Sequence, residues 1–546
     1  MNFPIAIRTL LFLVLAVFSG FCNELGDLKG NLKDIGASVE QKAQQKVTEI
    51  KTQAEGKVAE LKEKAGAELE KVKSSLPEGH HEGDGHDHGH HEGDGHDHSH
   101  DGHSEGGHHG PIKDLPFYWV IPFAILLLCI AILPLVAEHW WEENINKAKI
   151  SFTLGAIVFA YLVMAHGGAG LYLIKHSMHE YFQFIVLLSS LYIISGGIVF
   201  RGTLAPTPAL NTAILSFGAL IASFVGTTGA SMLLIRPLLK ANVGRKHVVH
   251  TVVFFIFMVS NIGGCLTPLG DPPLFLGFLK GIPFSWTFSL WKEWLFVNVI
   301  LAIVYFIWDS MYYRKEEFLE EDLQQEKEPV KVEGLMNFVW LGGVVACVAF
   351  GTPDKFHALG LPADTREVLM IGFIVLSLVL TDKKLREANE FNYHPINEVA
   401  FLFVGIFLTM IPAINTLKIM GPTLGVEKTW HFFWGTGLLS SFLDNAPTYV
   451  VFLELANSLR LEGLFSPELG ALIGEKAILV PNDILTAISL GAVFMGANSY
   501  IGNGPNFMVK AIAEQSGVRM PSFFGYMMYS FGILVPIFLA VTFIWF

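Results

Sequence analysis

Two carboxylates stand where an apolar chain has least use for charge. Asp271 lies in "SNIGGCLTPLGDPPLF" (Ser260 to Phe275) and Asp444 in "FLDNAPT" (Phe442 to Thr448), each flanked by apolar runs. At membrane depth an ionisable side chain is costly and marks an ion path. A carboxylate holds either a proton or a metal cation, and that competition is the simplest basis for exchanging one for the other. Neighbouring oxygens point the same way. Thr227, Thr228 and Ser231 in "VGTTGAS" bring hydroxyls and Asn445 an amide oxygen, ligands that suit hard cations such as sodium. Plainer roles compete: Asp271 could steady the turn before Pro272, and Asp444 could cap the helix that follows it. Arg236 and Glu454, a turn or two further on, could hold ions or pair within the protein. His166 in "VMAHGGAG" could relay protons or sit hydrogen-bonded beside a glycine kink.

The backbone around Asp271 carries as much meaning as its side chain. Three glycines and three prolines interrupt what hydropathy would read as one membrane helix. Lipid cannot pair freed N–H and C=O groups, so non-helical backbone at that depth has to line a cavity enclosed by protein. There, freed carbonyls coordinate cations and the restarting helix offers its positive end to anions. A second break follows. "GCLTPLGDPPLF" (Gly264 to Phe275) is echoed 232 residues later by "GANSYIGNGPNF" (Gly496 to Phe507). Gly264, Gly270, Pro273 and Phe275 are matched there by Gly496, Gly502, Pro505 and Phe507. Gly/Pro-interrupted spans at corresponding places in two halves mark the binding site of a secondary transporter.

Such breaks require a particular order of elements to hold them. The 546 residues are 51% hydrophobic, with 44 Phe and only 16% charged residues, against about 25% charge in soluble domains. Apolar stretches of about 20 residues recur, enough for a bilayer core of roughly 30 Å. The expected fold is an all-α polytopic membrane protein. Residues 113–310 form a first repeat, with spans near 116–136, 151–171 and 182–200, a hairpin near 210–241, a broken span near 247–279 and a plain span near 286–309. A charged cytoplasmic linker occupies 311–334. Residues 335–546 then repeat the order, with spans near 335–351, 366–381 and 396–417, a hairpin near 430–459, a broken span near 483–513 and a span near 522–546. Five transmembrane helices and one re-entrant hairpin per half make the repeat inverted.

Basic residues set the orientation. Loops holding Lys147, Arg245, Lys315 and Lys384 are richer in Lys and Arg than those on the other side, which places residues 24–115 outside a bacterial inner membrane. Residues 1–23 read as a signal peptide or signal anchor. Residues 24–75 carry an apolar stripe at steps of 4, 4 and 3 from Val39 to Val72, the pattern of a long solvated helix. Residues 76–112 contain "HHEGDGHDH" twice, placing His80, His81, His86, His88, His90, His91, His96 and His98 among Asp, Glu and Gly. So much glycine cannot fix a ligand geometry, so the tract is expected to chelate Zn2+, Ni2+ or Cu2+ without selectivity. That tract supplies much of the net charge of −13, which therefore says nothing about nucleic acid, and no nucleic-acid partner is expected. The four cysteines are scattered and suggest no disulfide or zinc framework. No GxxxxGK[ST] loop occurs, so neither an enzyme nor transport driven directly by ATP is expected, and no resident cofactor.

"SNIGGCLTPLGDPPLF", "FLDNAPTYV" and "GANSYIGNGPNF", in this doubled order, resemble the ion transporter superfamily. Within it the chain resembles the NhaD-like sodium/proton antiporters, which are related to citrate and arsenite permeases. The resemblance covers about residues 116–546. It implies a dimeric scaffold domain in the lipid and a transport domain of hairpins and broken helices moving as an elevator. It also implies ion ligands at hairpin tips and breaks: Thr227, Thr228, Ser231, Asn261, Gly263 and Thr267 in the first half, and Asp444, Asn445, Thr448, Asn498, Ser499 and Asn503 in the second. One departure stands out. Such relatives tend to carry Asp-Asn at the first hairpin tip as well, where this chain has Thr227-Thr228. The expected activity is sodium/proton antiport; the alternatives are sodium- or proton-coupled symport of citrate or a dicarboxylate, and metal buffering by the His tract.

Overall fold

The apolar runs fold into helices in the doubled order. A computed structural model describes residues 115–202, 205–316, 331–351, 353–362, 364–465, 469–474 and 478–546. The signal segment, the amphipathic stretch, the His tract and most of the 311–334 linker lie outside these residues. In the first half, α1 (Ile121–Val136) and α2 (Asn144–Ser195) precede a hairpin of α3 (Pro208–Val225) and α4 (Thr227–Ala241). A span broken between α5 (Val249–Met258) and α6 (Pro272–Leu279) follows, then α7 (Trp291–Tyr313). In the second half, α8 (Met336–Phe350), α9 (Thr365–Leu380) and α10 (His394–Met420) precede a hairpin of α11 (Thr429–Phe442) and α12 (Asn445–Leu461). The second broken span runs from α13 (Asn482–Met495) to α14 (Gly504–Gln515), and α15 (Phe523–Trp545) closes the chain. Six helices among the described residues are long and apolar enough to cross a bilayer. The protein is an all-α, multi-pass membrane protein.

Helix α2 corrects the expected boundaries. Its 52 residues would reach about 78 Å if straight, far more than a bilayer core of roughly 30 Å. The chain turns back at Gly167, whose φ of 52° and ψ of −121° are non-helical. A Cβ on Gly170 would sit 2.0 Å from the Leu162 carbonyl oxygen, and Leu162 and Ile174 share one apolar cluster. The expected loop near 172–181 is therefore helix. Lys175, His176 and Glu180, polar enough to suggest a loop, ride on the second arm.

Gly196 and Gly197 follow the end of α2, and the next residues extend instead of continuing a span to 200. Val199–Arg201 (β1) pairs antiparallel with Lys331–Glu333 (β2), and Arg201 Nε lies 2.7 Å from Glu333 Oε2. These strands fall where a span end and a linker were expected.

α2 packs along α10, with α8 and α9 against α2. Each hairpin packs on the broken span of its own half, α3 on the turn Ile262–Cys265 and α11 on α13. The second arms cross over, α4 onto α14 and α12 onto α6. Ion pairs tie this crossed assembly to α2 and α10 at two places. Arg236 on α4 lies 2.9 Å from Glu390, just before α10. Lys280, after α6, lies 3.3 Å from Glu180 and 3.5 Å from Glu454, which is 3.5 Å from Lys418. Arg236 and Glu454 thus pair within the protein. Arg245 is buried, its Nη2 2.6 Å from Asp309 Oδ1, with His250 and Tyr305 on the same carboxylate at 2.9 and 3.1 Å.

Candidate functional site

The two hairpin tips and the two breaks converge on Asp271. Pro272 and Pro273 open α6, a position where a missing N–H costs nothing, and Asp271 is the residue before them. Its side chain makes no capping bond, so steadying its own helix is not its role. Its carboxylate, 1% exposed, accepts three hydrogen bonds from three other elements. Thr227 Oγ1 at the first hairpin tip donates to Oδ1 at 2.9 Å, and Asn503 Nδ2 at the second break donates to the same oxygen at 2.9 Å. Asn445 Nδ2 at the second hairpin tip donates to Oδ2 at 2.6 Å. Burying an ionised carboxylate costs several kcal/mol unless hydrogen bonds replace its water (roughly several kcal/mol per ion). Here charge-assisted donors supply that replacement.

The tips are built differently in the two halves. Gly226, with φ 83° and ψ 148°, precedes α4; Asp444 precedes α12 and caps it, accepting from Ala446 N at 2.9 Å. By position, Thr227 therefore answers Asn445, and Gly226 answers Asp444. The sequence comparison that set Thr227-Thr228 against Asp444-Asn445 is shifted by one residue. The first tip lacks its carboxylate because a glycine in a left-handed conformation occupies that place.

Each break is clamped to its own hairpin by matching bonds. Thr267 Oγ1 donates to Ser223 O and accepts from Leu269 N at 3.1 Å. Ser499 Oγ donates to Ser441 O at 2.5 Å and accepts from Ile501 N at 3.3 Å. Ser223 Oγ donates to Gly263 O at 2.5 Å, and Ser441 Oγ lies 2.8 Å from Gly437 O on its own helix and 3.1 Å from Met495 O. A Cβ on Gly270 would lie 2.1 Å from Gly264 O, and one on Gly502 2.5 Å from Gly496 O. Only glycine permits that pinch. Gly263 is also confined, with Ala219 O and Met258 O 2.6 Å from where a Cβ would stand.

The other expected site residues lie around this junction. Ser231 Oγ is 2.8 Å from Ser260 Oγ, and Asn503 Nδ2 also reaches Ser260 O at 3.2 Å. Thr448 Oγ1 donates to Asp444 O at 2.9 Å. Thr228 lines a cavity of about 590 Å3 with Gly226, Thr227, Asp444, Asn445 and Asn503. Asn498 Nδ2 donates to Ser441 Oγ at 2.9 Å. The side-chain oxygens of Asn261 and Asn498 are buried and have no hydrogen-bond partner among the described residues. His166 does not line this cavity; its Nε2 is 3.4 Å from Tyr161 Oη beside the Gly167 turn.

Several residues that the sequence did not single out belong here. Ser223 and Ser441 form the clamps, and their only signal was a polar residue on an apolar hairpin arm. The cavity's outer lining includes Glu138, Glu142, Glu390 and Glu398 against Lys147 and Arg236. Lys147 pairs with Glu398 at 2.8 Å and Arg236 with Glu390. With Asp444 counted, carboxylates exceed basic groups on this surface five to two. Trp141 is buried and lines the same cavity.

No curated protein matches the chain. A family model matches residues 112–546, which include every residue the structure describes. A secondary carrier's architecture and this match agree, and the chain belongs to the family described as "Putative citrate transport".

Proposed function

We propose that the protein exchanges sodium for protons across a bacterial inner membrane by alternating access, with residues 24–115 outside. One observation carries this reading: the donors at the tips and breaks converge on Asp271, a carboxylate of the protein itself. A carboxylate-bearing substrate would need those same donors. With Asp271 holding them, the site is suited to bind what a carboxylate binds, a proton or a cation. Two further features support it. The unpartnered oxygens of Asn261 and Asn498 suit a hard cation, and a buried acceptor left without a donor calls for an explanation of this kind. The excess of carboxylates along the cavity concentrates cations and repels a trianion. By the charge bias of its loops, that cavity opens to the cytoplasm.

A second reading is sodium- or proton-coupled symport of citrate or another di- or tricarboxylate, favoured by the family's description. Asp271 would then have to release Thr227, Asn445 and Asn503 to the substrate. Proteoliposomes with a trapped pH dye separate the two. Under antiport, added Na+ or Li+ dissipates a preset proton gradient and labelled citrate stays outside. No response to either cation, with uptake of citrate, overturns the proposal in favour of symport.

A further inference from the structure

Asn506 lies in the first turn of α14, fully buried at 0% exposure. Its Nδ2 donates to two backbone carbonyls, Gly496 O and Ser499 O, each at 2.9 Å. Both amide hydrogens are thereby spent, and the Oδ1 of Asn506 can only accept. It accepts from Asn261 Nδ2 at 2.7 Å. The second hydrogen of Asn261 goes to Ile256 O, also at 2.7 Å.

This chain of donors fixes both amides. Turning Asn506 over would set its oxygen against two carbonyl oxygens. Turning Asn261 over would set its oxygen against Ile256 O and Asn506 Oδ1. Asn261 Oδ1 is therefore held facing away from both. It is buried, has no partner among the described residues, and stands 3.2 Å from where a Cβ on Gly496 would be. The tie is one-sided, because the residue of the first break that corresponds to Asn506 is the apolar Leu274.

We infer that Asn506 is a positioning residue that presents the Asn261 side-chain oxygen as a ligand to the transported cation. The inference rests on the sodium/proton reading and adds a residue that does not itself touch the ion. It also makes the ligand in the first half depend on a side chain from the second, so the two breaks are set as one unit.

The test uses full-length protein in proteoliposomes and records initial exchange rates against Na+ concentration. Asn506→Leu, which copies the first-half counterpart, should raise the half-saturating Na+ concentration roughly 10–100-fold, the usual consequence of losing a residue that orients a metal ligand. The maximal rate should stay within about twofold, since a positioning loss is read in ion affinity. A lowered maximal rate with unchanged half-saturation makes Asn506 a packing residue and overturns the inference. If Asn506→Leu does not fold, Gly496→Ala carries the test. Gly496 has helical φ and ψ of −56° and −24°, so alanine fits the backbone torsions and sets a methyl 3.2 Å from Asn261 Oδ1 and 3.2 Å from Gly502 O. Raised half-saturation is expected there too, and wild-type half-saturation overturns the inference. A wild-type protein that answers neither Na+ nor Li+ overturns the antiport reading and this inference together. A normal wild type with both variants unchanged overturns this inference alone.

Discussion

Asp271→Asn keeps the shape of the central side chain and removes its charge. Three donors reach the native carboxylate at 2.6 to 2.9 Å. Asparagine offers one acceptor oxygen, so Asn445 or Asn503 must turn over or face an amide NH2. Hydrogen bonds to a charged group are worth roughly 1.5–3 kcal/mol against about 1 kcal/mol for neutral ones, so downgrading three costs about 4 kcal/mol. The desolvation of the ionised carboxylate, of the order of several kcal/mol, disappears with the charge. The two terms nearly offset, and a folded protein with a thermal midpoint close to wild type is expected. Ion binding has no such compensation. A cation about 4 Å from the carboxylate gains about 4 kcal/mol at an effective permittivity of 20, which is about a thousandfold in affinity. In proteoliposomes with a trapped pH dye, the variant should give no response at Na+ concentrations that saturate the wild type. Wild-type rate and half-saturation in Asp271→Asn would refute the reasoning, because the carboxylate would then serve only to hold the tips together.

Gly270→Ala places a methyl carbon 2.1 Å from a backbone oxygen and should abolish recovery of monodisperse protein in detergent. Gly504→Ala meets nothing within 4 Å and should melt like wild type; equal behaviour of the two would remove the case for a pinched break. Arg245→Met removes the guanidinium from Asp309, whose side chain is 0% exposed, leaving it His250, Tyr305 and Asn211, and should lower unfolding stability by up to about 3 kcal/mol. Adding Asp309→Asn should recover part of that loss, and a single variant as stable as wild type would show the pair to be dispensable. Deleting residues 24–112 should abolish retention on immobilised Ni2+ while leaving Na+/H+ exchange intact; lost exchange would move the essential chemistry to the His tract.

Much of this architecture was legible because the bilayer is an unforgiving solvent. Glycines and prolines inside apolar runs had to mean enclosed non-helical backbone, and that logic located both breaks and Asp271. The doubled order of spans followed from hydropathy alone. What stayed hidden depends on where side chains point. The resemblance implied Thr267 and Ser499 as ion ligands; the structure shows their hydroxyl hydrogens donated to hairpin carbonyls, a pairing the sequence does not spell out. The correspondence of Gly226 with Asp444 required the two helix starts to be seen, because an Asp-Asn pair invites alignment with the nearest polar pair. Asn506 escaped notice because it falls where the internal echo fails, opposite Leu274. The turn at Gly167 was placed too late, because Lys175, His176 and Glu180 resemble a loop until Glu180 is seen to meet Lys280.

The bracing of the breaks has a mechanical consequence. Gly264 and Gly270 are in backbone contact, and Ser223, Ser441 and Asn506 bridge adjoining segments, so the breaks and hairpins are cross-tied. Under the alternating-access exchange proposed above, the braced block is expected to move as one body along α2 and α10. In that proposal the ion pairs at Arg236 and Lys280 are the contacts such a slide has to break.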